Sequence, residues 1–153
     1  MKAKSGFTLV EILIVVSILG SLAAIVIPQY SESSTEAKYA SLCTDLHTLR
    51  SQIELYKIHH NGFPPSFANF VAEMTRYSDI SGNTALAKTV VFYYGPYMQK
   101  VPVNPFNNKR ILDNTGTVGD NVGGWEYNQA TGEINADDNY DNDGVVGPDH
   151  ANL

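Results

Sequence analysis

Hydrophobic positions follow two regimes along this chain. From Phe7 to Ile27 they are almost unbroken, reading FTLVEILIVVSILGSLAAIVI. From Tyr39 onward they recur at alternating spacings of three and four, at Tyr39, Leu42, Leu46, Leu49, Ile53 and Tyr56, while Asp45, Arg50, Gln52, Glu54 and Lys57 fill the other sides. The first regime is apolar all round and has the length of about twenty residues that carries a helix across a bilayer. The second has the period of one helix face. Together they predict one long helix over residues 7–59, roughly 80 Å at 1.5 Å per residue. Gly20 weakens it from within, and Pro28 interrupts the hydrogen-bond ladder and bends it. Asn61-Gly62 ends the helix, and Phe63-Pro64-Pro65 turns the chain away.

Beyond the turn the pattern shortens. Ser66 is placed to cap a second helix over 67–77, with Phe67, Phe70, Val71 and Met74 inward. Residues 79–88 read as a loop with a helical turn. Arg110-Ile111-Leu112 reads as a short strand. Gly123–Tyr127 and Glu133–Ala136 read as a hairpin whose turn ends in Thr131-Gly132. Trp125 and Tyr127 then share a face and meet the helix stripe. The expected fold is α+β, a long N-terminal helix on a small antiparallel sheet. The chain has 153 residues; about 120 lie beyond the apolar run, enough for one small domain.

One residue does not suit the apolar run. Glu11 stands inside it, and a carboxylate in a bilayer costs on the order of 2.5–3.5 kcal/mol on insertion scales. It needs a cation, and the run contains no Lys or Arg. The nearest source is a new amino terminus, created if the leader MKAKSG were cut off at Gly6. Two other readings of residues 1–28 compete. A secretory signal peptide would use Lys2 and Lys4 as its basic end and Ser21-Leu22-Ala23 as small residues for cleavage. A plain membrane anchor explains the length and the lysines, which place the N-terminus in the cytoplasm. Neither gives Glu11 a purpose.

The stretch Gly6-Phe7-Thr8-Leu9-Val10-Glu11 resembles the cleavage and methylation signature of type IV pilins and type II secretion pseudopilins. The resemblance implies that a membrane peptidase cuts between Gly6 and Phe7 and N-methylates Phe7. It also implies that Glu11 is the family's signature carboxylate, and that Pro28 falls where these proteins commonly carry a proline. Residues 1–6 are then a leader, 7–28 a transmembrane and filament-core helix, and 29–153 a periplasmic domain. A second stretch, Tyr97-Met98-Gln99-Lys100-Val101-Pro102-Val103-Asn104-Pro105-Phe106-Asn107-Asn108, resembles a motif of major pseudopilins. An arriving subunit whose Phe7 amine meets Glu11 of a subunit already in a filament satisfies both charges and fixes axial register.

Charge narrows the partners. Formal net charge is -6, and no Lys or Arg follows Arg110. Such a surface repels nucleic acid. Cys43 is the one cysteine, so no disulfide forms within the chain; its expected place is a small buried or half-buried apolar position. Many type IV pilins close a C-terminal disulfide, so its absence favours the pseudopilins. The segment from Asn135 to Asp149 is rich in oxygen-bearing side chains. Asn139, Asp141 and Asp143, with Gly144 at the bend, suit a hard cation such as calcium, and Asp137, Asp138 or Asp149 could complete the shell. Counting from Asn139, the twelfth position is His150 rather than an acid, which excludes an EF-hand. The resemblance adds that major pseudopilins hold calcium in a C-terminal loop.

His59 and His60 adjoin at a helix end, where partial positive charge is favourable. There is no His-Glu-x-x-His, no phosphate-cradling glycine loop and no nucleophile elbow, so the chain is read as no enzyme. The resemblance implies a structural subunit, single-pass in the bacterial inner membrane. It would polymerise into a helical homo-oligomer, the periplasmic pseudopilus of a type II secretion system. Its partners would be prepilin peptidase, an inner-membrane assembly platform and minor pseudopilins. A type IV pilin of a surface pilus and a membrane-anchored periplasmic binding module are the alternatives.

Overall fold

The computed structural model describes residues 6–139, and for residues 27–32 the backbone alone. The chain divides into two compact units, Met1–Ala37 and Lys38–Leu153. Helix α1 spans Leu9–His59, and its helical backbone runs through Gly20 and Pro28.

In the first unit, Leu9–Val26 is long and apolar enough to cross a membrane, with mean hydropathy 2.7 and none of it buried within the protein. Apolar residues left bare on every side of a helix require an apolar medium or neighbouring helices around them.

The second unit has its own core. The α1 stripe Leu42, Leu46, Leu49, Ile53 and Tyr56 is buried, while Tyr39 and Cys43 are half-buried. Asn61 takes a left-handed φ of 56° and Gly62 a φ of 85°, and Gly62 N–H donates back to Lys57 O at 2.8 Å. This closes the helix at the position its sequence marks. After Pro65 comes a 3-10 turn, Phe67–Asn69, and then helix α2, Phe70–Thr75. Phe70 and Met74 join the core, but Val71 is 56% exposed, contrary to the inward place expected for it. Nor does Ser66 cap this segment with its side chain. Its Oγ and N–H both donate to Glu73, at 2.6 and 2.9 Å, and Tyr56 OH donates to the same carboxylate at 2.8 Å.

The second helix stops short of the expected residue 77 because Arg76 is extended and the chain at once enters a strand pair. Strand β1, Tyr77–Ser78, runs antiparallel to β2, Thr84–Ala85, and β2 falls in the stretch read as loop. Asp79 shapes the turn between them by accepting from the N–H groups of Ser81 and Asn83, each at 2.9 Å. A short polar side chain holding its own turn in this way favours a hairpin over a helical turn.

The second sheet has the order β3-β4-β5, with β3 Leu112–Asp113, β4 Trp125–Asn128 and β5 Glu133–Ala136. The β4–β5 hairpin is antiparallel, as expected. Strand β3 is parallel to β4, pairing Leu112 with Trp125 and Asp113 with Glu126. The small antiparallel sheet is therefore a mixed one. A parallel neighbour needs a long return connection rather than a tight turn, and residues 114–124 supply it. Trp125, Tyr127, Ile134 and Ala136 face the α1 stripe in one core. The polar tips of the two aromatics are satisfied: Trp125 Nε1–H donates to Pro102 O at 3.0 Å and Tyr127 OH to Pro65 O at 2.7 Å. Burying such side chains contributes about 1.5–3 kcal/mol each. Arg50 of α1 grips β5, donating from Nε to Ile134 O at 3.1 Å and from Nη2 to Asn135 Oδ1 at 2.8 Å.

Candidate functional site

Two places carry chemistry. The first is the start of α1. Thr8 N–H and Thr8 Oγ1–H each donate to Glu11 Oε2 at 2.8 Å, and Glu11 N–H donates to Thr8 Oγ1 at 3.2 Å. This reciprocal pair is a capping box, which satisfies amides that a helix start leaves open. Glu11 therefore has a local task that the charge argument did not foresee, although Thr8-x-x-Glu11 was legible in the sequence. Glu11 Oε1 takes no hydrogen bond among the described residues. Phe7 is 84% exposed beside it.

The second place lies at the end of the three-stranded sheet. Asp113, Asp120 and Asp137 each bring a carboxylate oxygen within 4.8 Å of the others. They come from the end of β3, the 114–124 connection and the exit of β5. Asp137 is buried. It accepts from the backbone of the connection: Gly119 and Asn121 N–H on Oδ1 at 3.0 and 3.3 Å, and Gly123 N–H on Oδ2 at 2.7 Å. Of the expected cation ligands, Asp137 joins this group. Asp138 is buried and receives Asn104 Nδ2–H instead, and Asn139 is half-buried. Asp141, Asp143 and Asp149 lie outside the described residues.

Glu126 completes the picture. It is 5% exposed, and its Oε1 accepts Gly116 N–H at 2.8 Å, but its Oε2 has no hydrogen-bond partner. Burial pushes its carboxyl above the ordinary range, and the nearby charges of Asp113, Asp137 and Asp120 push the same way. Asp137 is likewise raised by burial, partly offset by its backbone donors.

Groups raised in the folded state bind protons more readily there than in the unfolded chain. Stability therefore grows as pH falls through the folded values toward the ordinary carboxylate values of about 4. Asp79 and Asp120 are lowered, chiefly by hydrogen bonds to Asn83 and Val122 respectively. Their opposite effect falls below that window. With a chelator present, the second unit is expected to melt higher at mildly acidic pH than at pH 7. Glu126→Gln should raise the pH 7 melting temperature and flatten the dependence; a pH profile identical to wild type would contradict this reading of Glu126.

The asparagines of the Tyr97–Asn108 stretch hold this corner in place. Asn104 is buried; its Nδ2 donates to Gly124 O at 3.1 Å and to Asp138 Oδ2, and its Oδ1 accepts Phe106 N–H at 2.9 Å. Asn107 Nδ2 reaches Asn121 Oδ1, Gly123 O and Asp137 O at 2.8–2.9 Å. A Cβ on Gly124 would collide with Lys109 O, so this crossing admits no side chain. Asp113, Asp120 and Glu126 were missed as site residues because only the parallel pairing of β3 brings them together.

Comparison with known proteins bears on the first of these places, the start of α1. Residues 1–27 match the prokaryotic N-terminal methylation motif. The type II secretion system core protein G of Pseudomonas aeruginosa is 30% identical over 118 residues, covering 77% of this chain and 79% of that protein. The core protein G of Aeromonas hydrophila is 26% identical, covering 77% and 78%, and that of Vibrio cholerae 27%, covering 71% and 69%. No solved structure matches. The chain belongs to the family of type II secretion system core protein G.

Proposed function

We propose that this protein is a major pseudopilin that polymerises into the periplasmic pseudopilus of a type II secretion system. The observation that carries the reading is Glu11, alone in an apolar helix start and close behind an exposed Phe7. Prepilin peptidase cuts after Gly6 and methylates Phe7. The new amine then carries positive charge, and its attraction to a carboxylate is far stronger in lipid than in water. Phe7 of an incoming subunit pairs with Glu11 of its neighbour, leaving the capping box on one oxygen and the salt bridge on the other. The soluble unit lies in the periplasm, the apolar helix in the inner membrane. The assembly platform and minor pseudopilins are its partners, and its role is structural rather than catalytic. The N-terminal mass of protein purified from membranes tests this. A mature chain beginning at methylated Phe7 is expected; one still beginning at Met1 would reduce the protein to a tethered domain.

Calcium fits the acidic corner. Three clustered carboxylates and the unpartnered buried oxygen of Glu126 form an oxygen-rich, electrostatically strained set, the donor chemistry that calcium favours. Asp113, Asp120 and Asp137 would hold the ion, and its charge would offset their mutual repulsion. Added calcium is expected to raise the melting temperature at pH 7, and a chelator to reverse the gain. Superimposable melts in both conditions would exclude the metal.

A further inference from the structure

We propose that the pocket between the end of α1, the turn that follows it and the β1–β2 turn binds an alkylammonium group, the head and stem of a lysine side chain. The pocket, about 350 Å³, is lined by Tyr56, His60, Phe63, Glu73, Ile80 and Gly82 among others. All of these belong to the second unit. A hollow with apolar walls and a few convergent polar groups is the ordinary form of a ligand site.

Glu73 sets the charge of the ligand. It is 5% exposed, and the one salt bridge among the described residues is Lys57–Glu54. His60 lines the same pocket, but its Nδ1 meets Tyr56 O at 2.8 Å and its Nε2 meets Ser78 Oγ at 3.1 Å. Neither ring nitrogen is therefore turned to Glu73. A buried carboxylate is costly until a cation joins it. The hydrogen bonds of Glu73 then select the shape of that cation. A carboxylate offers about four acceptor positions. Tyr56 OH and Ser66 N–H occupy both on Oε2, and Ser66 Oγ occupies one on Oε1. The position left is on Oε1. A guanidinium fork, which prefers paired parallel bonds, is poorly served by it, whereas one N–H of an ammonium is well served. A hard metal ion gathers about six to eight oxygens, several of them from carboxylates, and Glu73 is the one carboxylate on this lining.

Gly82 gives the ligand its space. A Cβ on it would stand 3.0 Å from Tyr56 Oη and 3.9 Å from Glu73 Oε2, so the missing side chain leaves room directly over this pair. Tyr56 donates its hydroxyl proton to Glu73, which frees its oxygen to accept a second N–H of the ammonium. Phe63 and Ile80 are 72% and 49% exposed. They present apolar surface against which a methylene stem is buried while its charged head reaches the polar floor. A lysine of a partner polypeptide and a free alkylamine share this chemistry. The chain's net charge of -6 favours the approach of either. The inference does not depend on the polymer reading.

The test uses the isotope-labelled full chain in detergent, titrated with n-butylamine, n-butanol, methylguanidinium and Nα-acetyl-lysine N-methylamide while amide shifts are followed. n-Butylamine is expected to move the Ser66 and Gly82 amides and to bind about tenfold or more tighter than n-butanol. Methylguanidinium should bind more weakly than n-butylamine. Equal binding of the acetyl-lysine amide assigns the site to a lysine side chain; binding of n-butylamine alone assigns it to a free amine. Gly82→Asn places a side chain in the space, and asparagine tolerates the left-handed φ of 85° found there. This variant should lose n-butylamine binding. The comparison on the wild-type chain stands whether or not the variant folds. Unmoved Ser66 and Gly82 amides, equal affinity for n-butanol, shifts confined to the corner of Asp113, Asp120 and Asp137, or undiminished binding by a folded Gly82→Asn chain overturns the proposal.

Discussion

Glu11→Leu is expected to insert into the membrane like the wild-type protein and to yield no filaments. Leucine favours the apolar run, so insertion gains rather than suffers. Assembly loses the polar contact that fixes register among otherwise greasy surfaces. The capping box makes a second variant necessary, because Glu11→Leu also removes the acceptor for Thr8 N–H and Thr8 Oγ1–H. A lost cap costs about 1 kcal/mol, too little to dissolve a 51-residue helix. Glu11→Gln separates the two effects, since its amide oxygen can still accept from Thr8 while the charge is gone. Filament yield after shearing is the readout. Glu11→Gln should fail as fully as Glu11→Leu. Normal filaments from Glu11→Gln would mean that the cap suffices and that charge pairing is not the assembly contact.

The second large effect is expected at Asn104. Asn104→Ala removes two donated bonds and one accepted bond from a buried corner, so that Gly124 O, which keeps the N–H of Asp137, Phe106 N–H and the Asp138 carboxylate each lose one hydrogen bond. Each buried hydrogen bond lost costs about 0.5–1.5 kcal/mol, and about 1.5–3 kcal/mol where the partner is charged. A total loss of about 3 kcal/mol or more should lower the melting temperature of the second unit by roughly 10 °C or more. Denaturant unfolding monitored at Trp125 provides the measurement. A midpoint within error of wild type would show that the turn between Val101 and Lys109 holds itself without this side chain.

Periodicity made the long helix, its C-terminal cap and the inward pair Trp125 and Tyr127 legible, because each rests on local spacing alone. Val71 was misplaced for a definite reason. The spacing of Phe67, Phe70, Val71 and Met74 suits a longer helix, and a 3-10 turn followed by six helical residues rotates Val71 out of the core. The parallel placement of β3 could not be read locally, since Leu112 pairs with Trp125 only after the 114–124 connection has crossed back. The acidic corner inherits that obscurity. Asp137 stood out in a run of acids, whereas Asp113 and Asp120 became its companions through topology. Asn104 and Asn107 belonged to a recognised stretch, but their contacts to Gly124 and Asp137 depend on three strands being in place. At the start of α1, both the unusual acid and its threonine partner were visible, and the pairing between them follows from i to i+3 geometry.

Arg50 and β5 have a bearing on crowding. A subunit that accumulates side by side with copies of itself risks zipping its outer strand onto theirs, the route to uncontrolled fibres. By occupying the outward carbonyl of Ile134 with a guanidinium, α1 takes away one rung such a ladder would need. Stacking is thereby biased away from strand addition, and the ordered polymer is kept distinct from amyloid-like growth.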